Sequence, residues 1–572
     1  MHANALIDCG NGVRLERGAV CTLNDGTTLV SDHYYPAGDG PWPTLLMRQP
    51  YGRDIASTVV YAHPIWFARH GYHVAIQDVR GRGGSSGEFY PFRHEASDGA
   101  ETIAWLRRHP ACNGRIGMYG FSYQGATQLL AAAEQPEGLQ CIAPHMTAAD
   151  LYHGWFYHHG ALRLSSTLGW GIQMLREDAR RLGLHEASDK LESAWANIRS
   201  QVAHVPYARH PAILDAALPS YVRDWLTHRE PGDYWTSQDI STRIDRIQIP
   251  ALHITGWFDT YLDGSIAAYR ALRNHAGTAF ARENQYLLAG PWIHIPWGDR
   301  IGDANLGEAA NLNSDELLLR WFDHWLKDSL SFRSEPRIRH FALGPNEWRD
   351  AADWPTAARF PLYLHSRGNA NARKGDGTLA LDPPSDDEPR DVFVYDPEVP
   401  VTAPGGPQAL SGPCDQSTLE MGNNLLVYTS EPTTHEVAVF GHPRIVLHAA
   451  TSAPHADFTA KLVRVTPSGR AEFLCIGIAR STFLFRDSVY PVDQIRAWEF
   501  TLEPISFVLA PGERLRLEIA SSAFPLYDRN PSAAVAPQDA ENWTWFRSTQ
   551  QVAHSAAHPS AIYLPVNGEV GW

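Results

Sequence analysis

Gly117-Met118-Tyr119-Gly120-Phe121-Ser122-Tyr123-Gln124-Gly125-Ala126-Thr127-Gln128-Leu129-Leu130 decides the fold of this chain. The apolar run Ile116 to Tyr119 reads as a buried strand, and Ala126 to Ala133 is rich in good helix formers. A serine bracketed by Gly120 and Gly125 joins them. Strand, sharp turn and helix are the setting in which such a serine becomes a nucleophile elbow. The turn needs small neighbours so that backbone segments can pass closely. The hydroxyl then stands at a helix N-terminus, where free N–H groups can hold an oxyanion.

Working outward, the α/β texture continues on both sides. Val20 to Tyr35 holds two β-rich runs around Asn24-Asp25-Gly26, a hairpin signal. Pro43 to Met47 and Tyr72 to Gln77 read as buried strands, and Glu95 to Arg108 as a helix. The glycine-rich stretch Gly81 to Gly87 lacks both the G-x-x-x-x-G-K-[ST] and the G-x-G-x-x-G pattern. It predicts a tight turn fixed by Asp78 and Arg80, not a nucleotide site. Further on, Ile249 to Gly256 and Gln285 to Ala289 are strand candidates that run into Asp259 and His294. In an open parallel sheet, functional residues gather beyond the carboxyl ends of strands. Ser122, Asp259 and His294 therefore fall in place and in order for an α/β-hydrolase triad.

Residues 147–242 break the alternation. Met174 to Leu184, Ala187 to Val202 and Pro219 to His228 predict helices, which would form a cap over the site. Asp150 to Leu162 is crowded with aromatics and histidines. Trp155, His158 and His159 are the cap's candidate pocket residues, together with Trp257 and Phe258 beside Asp259. The histidines His153, His158 and His159 lack a carboxylate or cysteine at helical spacing, so no metal is assigned to them. From Ile338 onward, short β-rich runs punctuated by proline, glycine and aspartate predict an all-β sandwich of jelly-roll type. The expected organisation is an α/β-hydrolase domain over 1–146 and 243–337, a helical cap over 147–242 and a jelly roll over 338–572.

Composition bounds the function. At 572 residues the chain exceeds one hydrophobic core. A net charge of −15 argues against a nucleic-acid surface. The six cysteines form no C-x-x-C pair, which indicates neither zinc site nor disulfide framework. No apolar run reaches the ~20 residues of a membrane span, and the N-terminus lacks a signal-peptide pattern. The expectation is a cytoplasmic enzyme that needs neither cofactor nor metal and binds neither nucleic acid nor membrane. Whether it forms a homo-oligomer stays open.

Several stretches together resemble the CocE/NonD serine hydrolases, related to α-amino acid ester hydrolases and X-Pro dipeptidyl peptidases. They are Arg48-Gln-Pro-Tyr51, Gln77-Asp-Val-Arg-Gly-Arg-Gly-Gly-Ser85, Gly120-Phe-Ser-Tyr-Gln-Gly125, Gly256-Trp-Phe-Asp259 and Gly290-Pro-Trp-Ile-His294. The resemblance implies Ser122 as nucleophile, His294 as base and Asp259 as its orienting acid. It implies an oxyanion hole from the Tyr51 hydroxyl and the Tyr123 backbone N–H. It also implies cleavage of an ester or amide acyl bond through an acyl-enzyme. α-Amino acid ester hydrolases carry a carboxylate cluster for the substrate ammonium, but Gln124 here is neutral. Glu230 and Asp233 could supply charge from the cap. A neutral, partly aromatic acyl group fits better. An acyltransferase with the same triad, an X-Pro dipeptidyl-peptidase-like or β-lactam acylase activity, and a non-catalytic carbohydrate-binding protein stay open as alternatives.

Overall fold

Strand order explains why one edge of the molecule collects the chemistry. The computed structural model describes residues 6–54, 58–302, 304–355, 359–385, 388–406, 412–486 and 490–566. Its first sheet has eleven strands. Seven run parallel, in the order His73–Asp78, Trp42–Gln49, Cys112–Phe121, Leu139–His145, Ala251–Phe258, Gln285–Ile293 and Ile338–Ala342. His73–Asp78, Ala251–Phe258 and all but the last residue of Gln285–Ile293 are buried throughout, as expected of strands covered on both faces. The hairpin at Asn24-Asp25-Gly26 joins two antiparallel strands at the edge, with Gly26 at φ +86°, where a side chain would be strained.

The glycine-rich loop after His73–Asp78 is a packed turn. A Cβ on Gly83 would lie 2.0 Å from the Asp78 carboxylate, which accepts from Gly84 N–H at 3.0 Å and from Arg53 N–H at 2.8 Å. Arg80 binds Asp98 and Asp25 at 2.7 Å each, so the acid near the start of helix Glu95–Arg107 anchors the loop. Arg82 reaches Asp178 at 3.1 Å and ties the loop to the helical segment.

The chain leaves the sheet after His145 and returns at Ala251. Helices Leu164–Arg181, His185–Ala196 and Tyr221–Thr227 occupy the excursion. The first starts ten residues before the expected Met174, because Leu164, Leu168, Ile172, Leu175 and Ala179 supply one continuous buried stripe.

Beyond Phe360 a second eleven-stranded sheet and a paired Val437–Gly441/Ile505–Leu509 ladder form a β region. The two strands that follow the expected boundary at 338 pair with the first sheet. Ile338–Ala342 pairs parallel with Gln285–Ile293, and Glu347–Ala351 adds antiparallel to it, so both extend the first sheet. Their local composition matches the strands that follow, and only the pairing partner reveals which sheet they join. Among the described residues no helix is long and apolar enough to cross a membrane.

Candidate active site

Ser122 sits between strand Cys112–Phe121 and helix Tyr123–Ala133 with φ 62° and ψ −129°. A non-glycine residue in such a conformation carries strain of about 1–3 kcal/mol, and its surroundings must hold it. Ser122 N–H donates to the His145 carbonyl at 2.9 Å, while the Ser122 carbonyl accepts from Gly125 and Ala126. The glycines are needed on contact grounds. A Cβ on Gly120 would stand 2.5 Å from Gln124 Cβ, and one on Gly125 would lie 2.8 Å from Thr147 and 2.9 Å from the His145 carbonyl oxygen. Gln124 itself lies under the turn, accepting from Phe121 N–H at 3.3 Å. It is buried and braces the elbow instead of lining a pocket.

Asp259 and His294 follow the ends of neighbouring strands, and the pairing Phe258↔Ile293 brings them level. His294 Nδ1 and Asp259 Oδ2 are 2.6 Å apart, with Asp259 fully buried and the imidazole partly exposed. The Asp259 carboxylate also accepts from Tyr261 N–H at 2.5 Å. A carboxylate fixed in this way can hold one imidazole tautomer and stabilise the imidazolium. Tyr261 meets the His294 ring edge-on at 5.2 Å, and Phe121 approaches it at 5.3 Å. Ser122 is 8% exposed.

Tyr51 follows strand Trp42–Gln49 and is half-buried. Burial pushes its phenol up to about 12, against the opposing pull of Trp170 and Ser122, the two groups its hydroxyl faces. The phenol therefore stays protonated and able to donate at neutral pH. Tyr123 opens its helix, so its N–H has no intrahelical acceptor. Its side chain runs inward and donates to Glu95 at 2.8 Å, while Phe92 N–H donates to the same hydroxyl at 3.0 Å. Glu95 in turn binds Arg48 at 2.8 Å in a fully enclosed pair. Sequence reading missed Glu95 and Arg48. Their signal was a carboxylate in a helix's first turn and an arginine inside a buried strand, each of which needs a partner.

The five expected pocket residues separate. Trp155 stacks on Tyr261 at 4.1 Å and lies 5.6 Å from Trp170, so it belongs to an aromatic wall that meets His294 through Tyr261. Trp170 was missed, although the wall is built on it: it also stacks on Trp225 at 5.1 Å. Trp257 and Phe258 are corrected. Trp257 is buried with its indole donating to the Phe341 carbonyl at 2.7 Å, and Phe258 is fully enclosed in the core. Being on a strand covered on both faces, neither side chain follows Asp259 to the opening. His158 and His159 are corrected as well. Nδ1 of His158 is 2.7 Å from the Tyr527 hydroxyl, and Nδ1 of His159 is 2.9 Å from the Ile478 carbonyl. Both face the β region and line a separate cavity. Glu230 and Asp233 line yet another cavity, with Arg480 and Gln538.

An elbow serine and an Asp–His pair at strand ends define an α/β-hydrolase of the serine class. Comparison with known proteins narrows this. Residues 25–296 match the model of the X-Pro dipeptidyl-peptidase (S15) family, and 331–563 match the X-Pro dipeptidyl-peptidase C-terminal non-catalytic domain. Cocaine esterase of Rhodococcus sp. (strain MB1 Bresler) is 33% identical over 95% of this chain and 97% of its own. A protein described as a putative serine esterase in Mycobacterium tuberculosis (strain CDC 1551 / Oshkosh) is 26% identical over 95% of this chain and 94% of its own. The solved structure of an α-amino acid ester hydrolase superposes with a TM-score of 0.77 at 24% identity, covering 98% of both chains. The chain belongs to the CocE/NonD serine hydrolases and acts on ester or amide bonds.

Proposed function

We propose that the chain is an esterase or amidase for a neutral, aromatic-bearing acyl group, working through an acyl-enzyme on Ser122. His294 takes the serine proton as Oγ attacks the carbonyl carbon, and Asp259 holds the imidazole so that Nε2 is the accepting nitrogen. The Tyr51 hydroxyl and the Tyr123 N–H receive the developing oxyanion. The imidazolium then returns its proton to the leaving group. Water, activated by the same imidazole, releases the acid in a second tetrahedral step. The Asp259–His294 hydrogen bond of 2.6 Å beside the strained Ser122 turn is the observation that carries this reading.

In this reading the helices between Leu164 and Thr227 are the cap, and Trp155 and Trp170 are the apolar wall against which the acyl group rests. The β region beyond Phe360 is a jelly roll that buttresses the cap. The substrate is neutral at its acyl end because two carboxylates beside the elbow are already engaged. Asp259 holds His294, and Glu95 holds Arg48 and Tyr123. An ammonium would find no free partner there, which separates this site from one built for α-amino acyl groups. The relative at 33% identity is named for an ester substrate, cocaine, in keeping with an esterase. A panel of p-nitrophenyl esters tests the proposal. Phenylacetyl or benzoyl esters should exceed α-aminoacyl esters in kcat/KM by tenfold or more, and the reverse order would refute the substrate assignment.

A further inference from the structure

Where the helical segment, helix Leu262–His275 and the β region meet, a cavity of about 300 Å³ opens onto Asp263, His158 and His442. Asp263 Oδ2 lies 3.4 Å from His158 Nε2, and Asp263 Oδ1 lies 3.4 Å from His442 Nε2. A ring nitrogen of His158 and one carboxylate oxygen each of Asp263 and Glu503 all fall within 4.8 Å of one another. We propose that His158, Asp263 and Glu503 form a binding site for a divalent transition-metal ion, zinc by preference, with cavity water as the fourth ligand and His442 holding the second oxygen of Asp263.

Spacing is the first argument. An imidazole N–H donating to a carboxylate normally closes to about 2.7–2.9 Å. Ligand atoms on a tetrahedral zinc ion, bound at about 2.0–2.1 Å, stand about 3.3–3.4 Å apart. The His158–Asp263 separation of 3.4 Å can serve as an edge of that tetrahedron.

The orientation of the ring agrees. His158 is buried, with Nδ1 turned to the Tyr527 hydroxyl and Nε2 to Asp263. With Nδ1 only 2.7 Å from the Tyr527 hydroxyl, Nδ1–H can donate to the phenol oxygen and leave the Nε2 lone pair aimed at Asp263. Metal-bound histidines are oriented by such an outer hydrogen bond.

Charge points the same way. Asp263 and Glu503 bring two carboxylates, and the Arg163 guanidinium faces them at 3.9 and 3.0 Å. The two carboxylates outnumber the Arg163 guanidinium in this buried place. Imidazole with carboxylate selects zinc over calcium or magnesium. Sequence spacing does not join this cluster because the carboxylates arrive from distant parts of the chain. The ligands come from the helical segment, the helix that follows Asp259, and the β region, so the ion would pin three parts of the molecule together.

The test uses the full-length protein, stripped with chelator and re-equilibrated with ZnCl2 or CoCl2. Elemental analysis after gel filtration should find one zinc per chain, and Co2+ should give the strong visible bands of a tetrahedral site. The nearly isosteric Asp263→Asn should lose the zinc and the bands. His442→Gln, at the cavity rim, should fold normally and weaken zinc binding by 10- to 100-fold, as loss of an outer-shell partner does. Wild-type protein that takes up neither ion overturns the proposal. So do folded Asp263→Asn and His442→Gln variants that bind zinc as the wild type does.

Discussion

Tyr123 donates its hydroxyl to Glu95 at 2.8 Å, so the residue that follows the elbow serine is pinned from behind by its own side chain. Glu95 is held by Arg48 at 2.8 Å, and Arg48 Nε donates to Gln77 at 2.9 Å on the neighbouring strand. Burial raises the Glu95 carboxyl, with Arg48 opposing. The elbow therefore rests on a buried polar network as well as on glycine contacts. Tyr123→Phe should leave the Phe92 N–H and the Glu95 carboxylate short of a partner. We expect a stability loss of about 1–3 kcal/mol by chemical denaturation, with kcat reduced less than tenfold. Unchanged stability would mean that the network is not holding the turn.

Tyr51→Phe keeps the ring and removes the donor. It should lower kcat by about 10²–10³ with little change in KM, as loss of one oxyanion donor does. Because the Tyr51 phenol lies near 12, this loss should be the same from pH 6 to 9. Wild-type turnover by the variant would make Tyr51 a scaffold residue only.

Two histidine clusters give opposite pH dependence. His33 and His73 are buried with 2.9 Å between Nδ1 and Nε2, and burial, with neighbouring imidazoles, drives His33 down to about 3. Such groups stay neutral when folded but bind protons when unfolded. Their contribution is present above pH 6.5 and falls away progressively toward pH 3. In the β region His554 is lifted above its ordinary value: burial opposes its charge, but Asp391 at 2.9 Å and Glu388 at 3.0 Å outweigh burial. Its contribution is full below pH 6.5 and lost as pH rises through the folded value. His554→Gln should remove the alkaline decline in the calorimetric melting temperature and leave the acid decline intact. An unaltered alkaline limb would place its origin elsewhere.

The β region should be needed for a competent enzyme. Leu164 N–H donates to the Leu526 carbonyl at 2.9 Å, Asp528 N–H to the Leu162 carbonyl at 3.1 Å, and Leu162 N–H to the Asp528 carboxylate at 2.9 Å. A chain ending at Pro355 keeps the whole first sheet but strips these groups of their partners. It should be insoluble or inactive, and normal kinetics from it would contradict the dependence.

Much of the architecture was legible because local signals and the fold agree. The Asn24-Asp25-Gly26 turn, the apolar strands ending at Asp259 and His294, and the glycine-bracketed Ser122 each state their conformation in a few residues. What stayed hidden depends on pairing across distance. Ile338–Ala342 looks like any strand of the β region until its partner Gln285–Ile293 is known. Trp257 and Phe258 share a strand end with Asp259, yet alternate side chains point to opposite faces, and both faces of this sheet are covered. His158 and His159 looked like pocket residues because the segment's aromatic density carries no direction. Glu95, Arg48 and Asp263 are charged residues whose partners lie far along the chain, and no spacing rule joins them.

The most direct test of the central claim is the site of covalent labelling by a fluorophosphonate, mapped by peptide mass spectrometry. The account predicts one adduct, on Ser122, formed rapidly by the wild type, slowed at least a hundredfold in His294→Gln and absent from Ser122→Ala. An adduct on another serine, or labelling that persists at the wild-type rate in His294→Gln, would contradict it.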